Sequence, residues 1–276
     1  MTVPDPPVDP RALRTPADVD AAAEWLFGDV PRATGVLHPT SIVRLGGPDG
    51  PAETLRIDER APSSPWDLFS LLLCRARADA VVTTGANLRA EPLLRHDFSP
   101  LEASREAFEA WRREGGRELA PLSLVLTSGR DLDLDHPVLL GGRRAMLYTG
   151  RDAAWQLESQ TIDRGIELIP DDRPSLRAAV EFLRSEMGAA TITIEAGATT
   201  ARSLYDDPPM LDELLLSEFL GELPAERRAA PMVEDERLRE IFDRRDGPVL
   251  IPGATDDRSV ADRAAGWQIS RFVRLP

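Results

Sequence analysis

The chain has no lysine, one cysteine and three histidines, and each shortage removes a class of chemistry. Without lysine, no Schiff base forms with a carbonyl substrate and no lysine binds a phosphate. Cys74 cannot form an intramolecular disulfide, and we expect it to pack in the core of a protein from a reducing compartment. His38, His96 and His136 lack the spacing of metal ligands, so we predict loop histidines and no metal site.

Long apolar runs and basic blocks are also missing. No uncharged stretch is long enough to span a bilayer, and the first residues lack the features of a leader, so we expect a cytoplasmic protein without a membrane partner. A formal net charge of −14 repels nucleic acid and anionic lipid. The Gly-x-Ser-x-Gly nucleophile motif is absent, which argues against an α/β-hydrolase.

Apolar periodicity and end signals predict alternating helices and strands. Helices are predicted over 16–27, 65–77, from a capping box at 99–102 to about 115, over 174–187 and over 233–244. Strands are predicted over 41–45, 78–84, 121–127, 144–149, 191–195, 211–219 and 266–274. This alternation, with a late pair of strands, predicts an α/β fold with a mostly parallel central sheet and antiparallel C-terminal edge strands.

Two predicted strands end in similar glycine-containing turns. The first runs through Val81-Val82-Thr83-Thr84 into Gly85-Ala86-Asn87, and the second through Ile192-Thr193-Ile194 into Glu195-Ala196-Gly197. Backbone amides at such strand ends bind anions, and glycine lets a ligand approach the backbone closely. Each turn alone is more often a plain tight turn, but their joint presence favours one shared ligand.

The order of these segments resembles the reductase domain of bifunctional riboflavin-biosynthesis deaminase-reductases, over about residues 36–276. That family typically carries a Gly-Ala-x-Thr-Val-x-Ala-Asp run, matched here by residues 85–91, and a Val-Glu-Gly-Gly-Pro-Thr run, matched by residues 194–199. The resemblance implies a dihydrofolate-reductase-like three-layer fold and an NADPH-dependent reductase. The deaminase half and its zinc ligands are missing, which excludes zinc deaminase activity.

The resemblance also implies site residues. The cofactor would be bound by Thr84, Gly85, Ala86, Asn87, Ala196, Gly197, Ala198 and Thr199. Ala196 replaces a family glycine, and its methyl group would either crowd the pyrophosphate or be absorbed by a backbone shift. The catalytic candidates are Glu195 and Asp49, the latter from the family's Ser-x-Asp-Gly run, although Pro48-Asp49-Gly50 is equally typical of an ordinary turn.

The expected organisation is an N-terminal arm and short helix over 1–30 and a single reductase domain over 31–276. We expect a homodimer, in which the apolar segment 211–216 is either part of the interface or part of the core. The tryptophans 66, 111, 155 and 267 are expected to pack inside, and the acidic run 131–135 to form a solvated edge.

The predicted function is reduction of a small heterocyclic or sugar-linked substrate, such as the riboflavin-pathway pyrimidine. The alternatives are a catalytically silent homologue that binds a ligand or protein, and an unrelated α/β nucleotide-binding enzyme.

Overall fold

The computed structural model describes residues 5–32, 35–56, 61–117, 120–140, 144–252 and 266–276. Its helices are α1 (Pro16–Phe27), α2 (Pro65–Arg77), α3 (Gly85–Ala90), α4 (Arg105–Glu114), α5 (Pro137–Leu140), α6 (Arg151–Ile162), α7 (Leu176–Ser185), α8 (Ala198–Ala201) and α9 (Asp235–Ile241). Its strands are β1 (Val36–Arg44), β2 (Ala52–Leu55), β3 (Ala80–Thr84), β4 (Leu122–Leu126), β5 (Ala145–Gly150), β6 (Glu167–Asp171), β7 (Ile192–Glu195), β8 (Glu213–Phe219), β9 (Arg228–Pro231), β10 (Phe242–Ile251) and β11 (Trp267–Arg274).

The strands form one sheet in the order β10-β11-β8-β1-β7-β3-β4-β5-β6, and β2 pairs with both β1 and β9. Every neighbouring pair from β8 to β6 is parallel. The pairs β8–β11 and β10–β11 are antiparallel. The predicted α/β class, with a mostly parallel sheet and antiparallel C-terminal edge strands, is confirmed.

Local signals place the helices on either side of the sheet. The side chain of Ser64 caps α2 and Pro65 occupies its first turn, as predicted, while Thr15 and Asp18 form a capping box at α1. Helices α1, α2 and α4 bury aromatic and leucine side chains against one face of the sheet. Helix α7 packs its apolar stripe against the opposite face. These layers put the ends of the parallel strands at one edge, where the chain enters α3, α6 and α8.

The N-terminal segment takes part in the same core. Leu13 is buried, its amide donates to the hydroxyl of Ser104, and that hydroxyl donates to the carbonyl of Pro10. Helix α1 packs beside α4. The boundary between residues 30 and 31 stays a prediction.

Two predicted helices differ from the structure. The capping box expected at Ser99–Glu102 does not form: the hydroxyl and amide of Ser99 both bond to Asp97, a 3₁₀ turn follows, and α4 begins only at Arg105. The helix expected over 233–244 ends at Ile241, because the chain continues into β10 beside β11. Sequence patterns also missed β2, β6, β9, β10 and α6, which have weak or mixed apolar periodicity.

The burial of individual side chains tests further predictions made from the sequence. His38 lies inside β1 and not in a loop, and it is 1% exposed. His96 and His136 lie in loops, as predicted, but are buried. Trp155 is 79% exposed on α6, whereas the other three predicted tryptophan anchors are buried. Cys74 is buried as predicted. Leu211 and Leu214–Leu216 belong to the core of this chain.

Charged groups also lie inside the core. Arg77 and Glu213 are both almost fully buried and form two hydrogen bonds, of 2.7 and 2.9 Å, between α2 and β8. Arg271 of β11 contacts the same carboxylate. Burial alone would raise the pKa of Glu213, but the two guanidinium groups hold it below its usual value. One carboxylate therefore ties a helix to two strands.

We expect Glu213→Gln to reduce the free energy of unfolding by about 3–5 kcal/mol, because it leaves two buried guanidinium groups without their counter-charge. Urea unfolding followed by circular dichroism measures this change. Glu167→Gln is the matched control, since Glu167 pairs with Arg144 at the surface. If both substitutions reduced the free energy of unfolding equally, Glu213 would not be the buried link between α2, β8 and β11.

Candidate functional site

The two sequence-predicted turns lie side by side. Strands β3 and β7 are parallel neighbours, with Thr83 opposite Glu195, so both chains leave the sheet at the same edge. The side-chain amide of Asn87 crosses between them and donates to the carbonyl of Glu195 at 2.8 Å. The hydroxyl of Thr83 donates to the same carbonyl at 2.9 Å. The structure therefore joins the two predicted segments into one surface.

Residue 197 is where this surface is open. Gly197 and Thr199 are exposed, and a Cβ added to Gly197 would meet nothing within 4 Å. Ala196 itself is partly buried and packs against the hydrophobic core.

The first turn is more closely packed. The hydroxyl of Thr84 accepts the amide of Asn87 and caps α3, which leaves Ala86 exposed at the rim. A Cβ added to Gly85 would lie 2.8 Å from the hydroxyl oxygen of Thr127, which itself accepts the amide of Gly129. Glycine is therefore required at position 85, because a side chain there would overlap Thr127 at the end of β4.

Glu195 points away from solvent and is paired. Its two carboxylate oxygens accept hydrogen bonds of 2.7 Å each from Arg75, whose side chain is 1% exposed. Burial alone would raise the pKa of Glu195, but the charge and hydrogen bonds of Arg75 hold it below its usual value. A second carboxyl, Glu91, lies close by, and burial together with the charge of Glu195 raises its pKa to about 7. Glu195 is thus an ionised anchor for the end of β7.

A gap in the sheet opens next to this turn. The register of β1 with β7 ends at the pair Leu37–Thr193, and β2 begins to pair with β1 only at Ile42. On that side of β1, the described ladder leaves residues 38–41 without a neighbouring strand. Pro39, Thr40 and Ser41 keep partial exposure although they lie in a central strand. This unpaired stretch of β1, called the recess below, lies beside the Ala196–Gly197 turn, whose backbone His38 contacts.

Asp67 lies on one side of this recess. It is in the first turn of α2, and its carboxylate accepts the hydroxyl of Ser41 at 2.8 Å and that of Ser217. Burial raises the pKa of Asp67, and the two hydroxyls only partly oppose this effect. Residue 67 as a whole nevertheless keeps partial solvent exposure. No cation pairs with it among the described residues.

Asp49 has a different setting. It lies in the exposed turn after β1, where Gly50 donates its amide to the carbonyl of Gly47. The nearby Arg44 binds the carbonyl of Gly50 and the carboxylates of Glu218 and Asp235. Asp49 is therefore an exposed turn residue, whereas Asp67 contacts β1 through Ser41.

Sequence reasoning missed Asp67, Arg75 and His38. Asp67 and Arg75 occupy positions in α2 that resemble those of ordinary surface residues of a capped helix. His38 was read as a loop residue because Pro39 follows it. The available signal was the position of the histidine three residues before Ser41, where the predicted strand begins.

Two classes of site find no support in the described residues. Histidine, cysteine and carboxylate side chains form no cluster of three there that would hold a metal ion. Each helix of the described segments is too short or too polar to cross a bilayer.

The two glycines give a prediction about the turns. Gly85→Ala should lower the free energy of unfolding by about 1–3 kcal/mol, because the new methyl group overlaps Thr127 in a packed region. Gly197→Ala should be neutral or slightly stabilising, since its φ of −59° suits any residue and the space is free. Thermal unfolding of both variants measures the difference, and a destabilised Gly197→Ala variant would argue against the open turn.

Solved structures of known proteins share the fold of this chain. No protein-family model matches the chain, and no curated protein matches its sequence. The pyrimidine reductase-like protein of Corynebacterium diphtheriae is 18% identical with a TM-score of 0.59, and the match covers 92% of this chain and 98% of that protein. Acinetobacter baumannii RibD is 16% identical with a TM-score of 0.57, and the match covers 93% of this chain and 64% of RibD. The chain therefore spans less than two thirds of RibD and shares the fold of both proteins, as the sequence resemblance implies.

Proposed function

We propose that this chain is an NADPH-dependent reductase that binds the dinucleotide across the β3 and β7 turns. Its substrate is a small heterocyclic or sugar-linked molecule of the riboflavin-pathway pyrimidine type. NADPH, when bound, supplies the hydride. The observation that carries the proposal is the open surface at Gly197, held next to the Gly85–Asn87 turn by the carbonyl of Glu195.

The turn suits a diphosphate. An anion is bound well by backbone N–H groups that have no internal acceptor and whose surroundings leave room for close approach. The amide of Gly197 has no acceptor in the described part of the chain. Pairing of Glu195 with Arg75 neutralises the carboxylate nearest to the turn, so the anion meets little local repulsion.

Two exposed arginines near the first turn would recognise the third phosphate of NADPH. Arg89 lies at the end of α3 and Arg130 in the turn after β4, and the guanidinium group of Arg89 donates to the carbonyl of Arg130 at 3.2 Å. Arginine recognises phosphate through a planar fork of donors. This pair favours NADPH over NADH in a chain whose net charge is otherwise strongly negative.

The recess beside β1 would hold the substrate. Reduction of a C=N or C=O group needs a proton at the heteroatom as well as a hydride at carbon. Asp67, with a raised pKa and partial exposure, is suited to hold that proton or to accept an N–H of a heterocycle. Asp49 stays a second candidate, on the exposed turn after β1.

A specific observation favours the competing function, a silent ligand-binding homologue. Of the two carboxylates predicted from sequence, Glu195 is tied to Arg75 and Asp49 lies on an exposed turn. If Asp67 does not supply the proton either, the chain binds a dinucleotide or a related ligand without turnover.

Titration calorimetry with NADP⁺ tests the binding step. We expect binding by the wild-type protein and a loss of at least about tenfold in affinity for Gly197→Val, because the branched side chain fills the space over the amides and removes about 1.4 kcal/mol or more of binding free energy. Ala190→Val, at an exposed position before the opposite end of β7, is the control for a branched side chain away from the site. Absence of NADP⁺ binding by the wild type at millimolar concentration would reject the proposal.

Asp67→Asn tests the chemical step. The amide keeps the shape of the side chain but cannot give up a proton in the same way, so we expect the rate of pyrimidine reduction to fall by about 10²-fold or more while NADP⁺ affinity stays unchanged. Asp49→Asn is the parallel variant. Full activity of Asp67→Asn together with loss in Asp49→Asn would reverse the assignment, and no turnover by the wild type despite NADP⁺ binding would favour the silent homologue.

A further inference from the structure

His38 is a buried imidazole with two polar contacts and no part in the proposed chemistry. Its side chain projects from β1 to the face opposite Asp67, and it is 1% exposed. Nδ1 lies 2.7 Å from the hydroxyl oxygen of Tyr205, and the two rings pack edge to face. The ring also forms a hydrogen bond with the backbone of Ala196. The contact crosses the gap between β1 and the end of β7.

These contacts select one tautomer of His38. Burial lowers the pKa of His38 to about 4, so the ring is neutral near pH 7. A neutral imidazole has one N–H and one bare nitrogen. The hydrogen bond with the backbone of Ala196 favours the protonated ring, so Nε2–H donates to the carbonyl of Ala196 and Nδ1 accepts from Tyr205. The hydrogen bonds therefore run in one direction, from Tyr205 through His38 to Ala196.

The direction of this carbonyl sets the direction of the next amide. In a planar trans peptide, the C=O and N–H bonds point to opposite sides. A carbonyl of Ala196 that faces His38 turns the N–H of Gly197 to the other side of the peptide, and this N–H has no acceptor among the described residues. The carbonyl of Glu195 is held in the same way by Thr83 and Asn87.

We infer that His38 is a positioning residue: it fixes the Ala196–Gly197 peptide so that the Gly197 amide is aimed at a phosphate of the dinucleotide. This inference rests on the proposed function, because it takes the ligand at Gly197 to be the diphosphate of NADPH. Tyr205 also takes part, because its hydroxyl donates to Nδ1 of His38 and so keeps the proton of His38 on Nε2. Neither side chain touches the reacting atoms.

Calorimetry with two probes tests the inference. NADP⁺ carries the diphosphate, and adenosine 2′-monophosphate carries only the far end of the cofactor. We expect His38→Phe to weaken NADP⁺ binding by about tenfold, the value of one charge-assisted hydrogen bond, and to leave binding of the monophosphate unchanged. His38→Gln, whose amide can donate to Ala196 and accept from Tyr205, should restore most of the affinity. Tyr205→Phe should give an intermediate loss.

A control and a direct readout separate positioning from stability. His136 is another buried histidine, bonded to the carbonyl of Glu91 and the amide of Val138, and His136→Phe should lower the melting temperature without changing NADP⁺ affinity. NMR reports the peptide itself: the Gly197 amide signal should shift in His38→Phe, and nitrogen shifts of the three histidines should show His38 as the Nε2–H form.

The outcomes are distinguishable. Unchanged NADP⁺ affinity in His38→Phe, or equal loss for both probes, overturns the positioning assignment. If the wild type binds the monophosphate but not NADP⁺, the diphosphate site of the proposed function fails, and the Gly197 amide shift alone then decides whether His38 orients the peptide. If that shift is also unchanged in His38→Phe, the inference fails independently.

Discussion

The end of β7 is held by hydrogen bonds to its carbonyl groups, and the geometry of the whole site depends on them. Carbonyl groups at the end of a strand have lost their ladder partners and must find others when buried. Here the carbonyl of Glu195 is taken by Thr83 and Asn87 of the neighbouring β3–α3 unit, and the carbonyl of Ala196 by His38 of β1. Both neighbours of β7 thus determine where the exposed amide at residue 197 points.

Arginine supplies the rigid supports behind this turn. Arg75 binds both oxygens of Glu195 and also the carbonyls of Arg95 and Asp97, which anchors the loop after α3. Arg112 of α4 donates to three carbonyl groups at the end of α2. A guanidinium group serves several acceptors at fixed angles, whereas an ammonium group does so less rigidly. In a chain without lysine, buried arginines of α2 and α4 therefore connect helix ends to the sheet edge.

The sequence predicted the parts of this fold that have strong local signals. Ser64-Pro65 and the apolar face that follows define α2 to the residue, and the apolar runs define β3 and β7. Strand β6 was missed because Glu167-Leu168-Ile169-Pro170-Asp171 forms a short, partly exposed edge without clear alternation. Helix α6 was missed because Trp155 and Ile162 are exposed, which weakens its apolar stripe. Recognising β6 and α6 requires knowing which of their side chains the rest of the chain covers, and a single sequence does not contain that information.

The site was predictable in its backbone but not in its side chains. Glycine and strand patterns located the two turns, since those patterns are local, and parallel pairing then brought them together. The partner of Glu195 lies 120 residues away in α2, and the contact of Asp67 with Ser41 depends on how α2 crosses β1. A carboxylate predicted to face a ligand can therefore be turned into an internal anchor by one distant arginine.

The recess beside β1 explains why the two faces of the sheet both matter at one site. Where β7 ends and β2 has not begun, β1 has no described neighbour on that side, while β8 pairs with its other side. Asp67 reaches it from the α2 side through Ser41, and His38 reaches it from the opposite side through Ala196. Burial shifts both pKa values toward the uncharged form, upward for the carboxyl and downward for the imidazole. The unpaired stretch of β1 is thus flanked by two groups that favour neutrality, while the charges of Glu195 and Arg75 at the end of β7 offset each other.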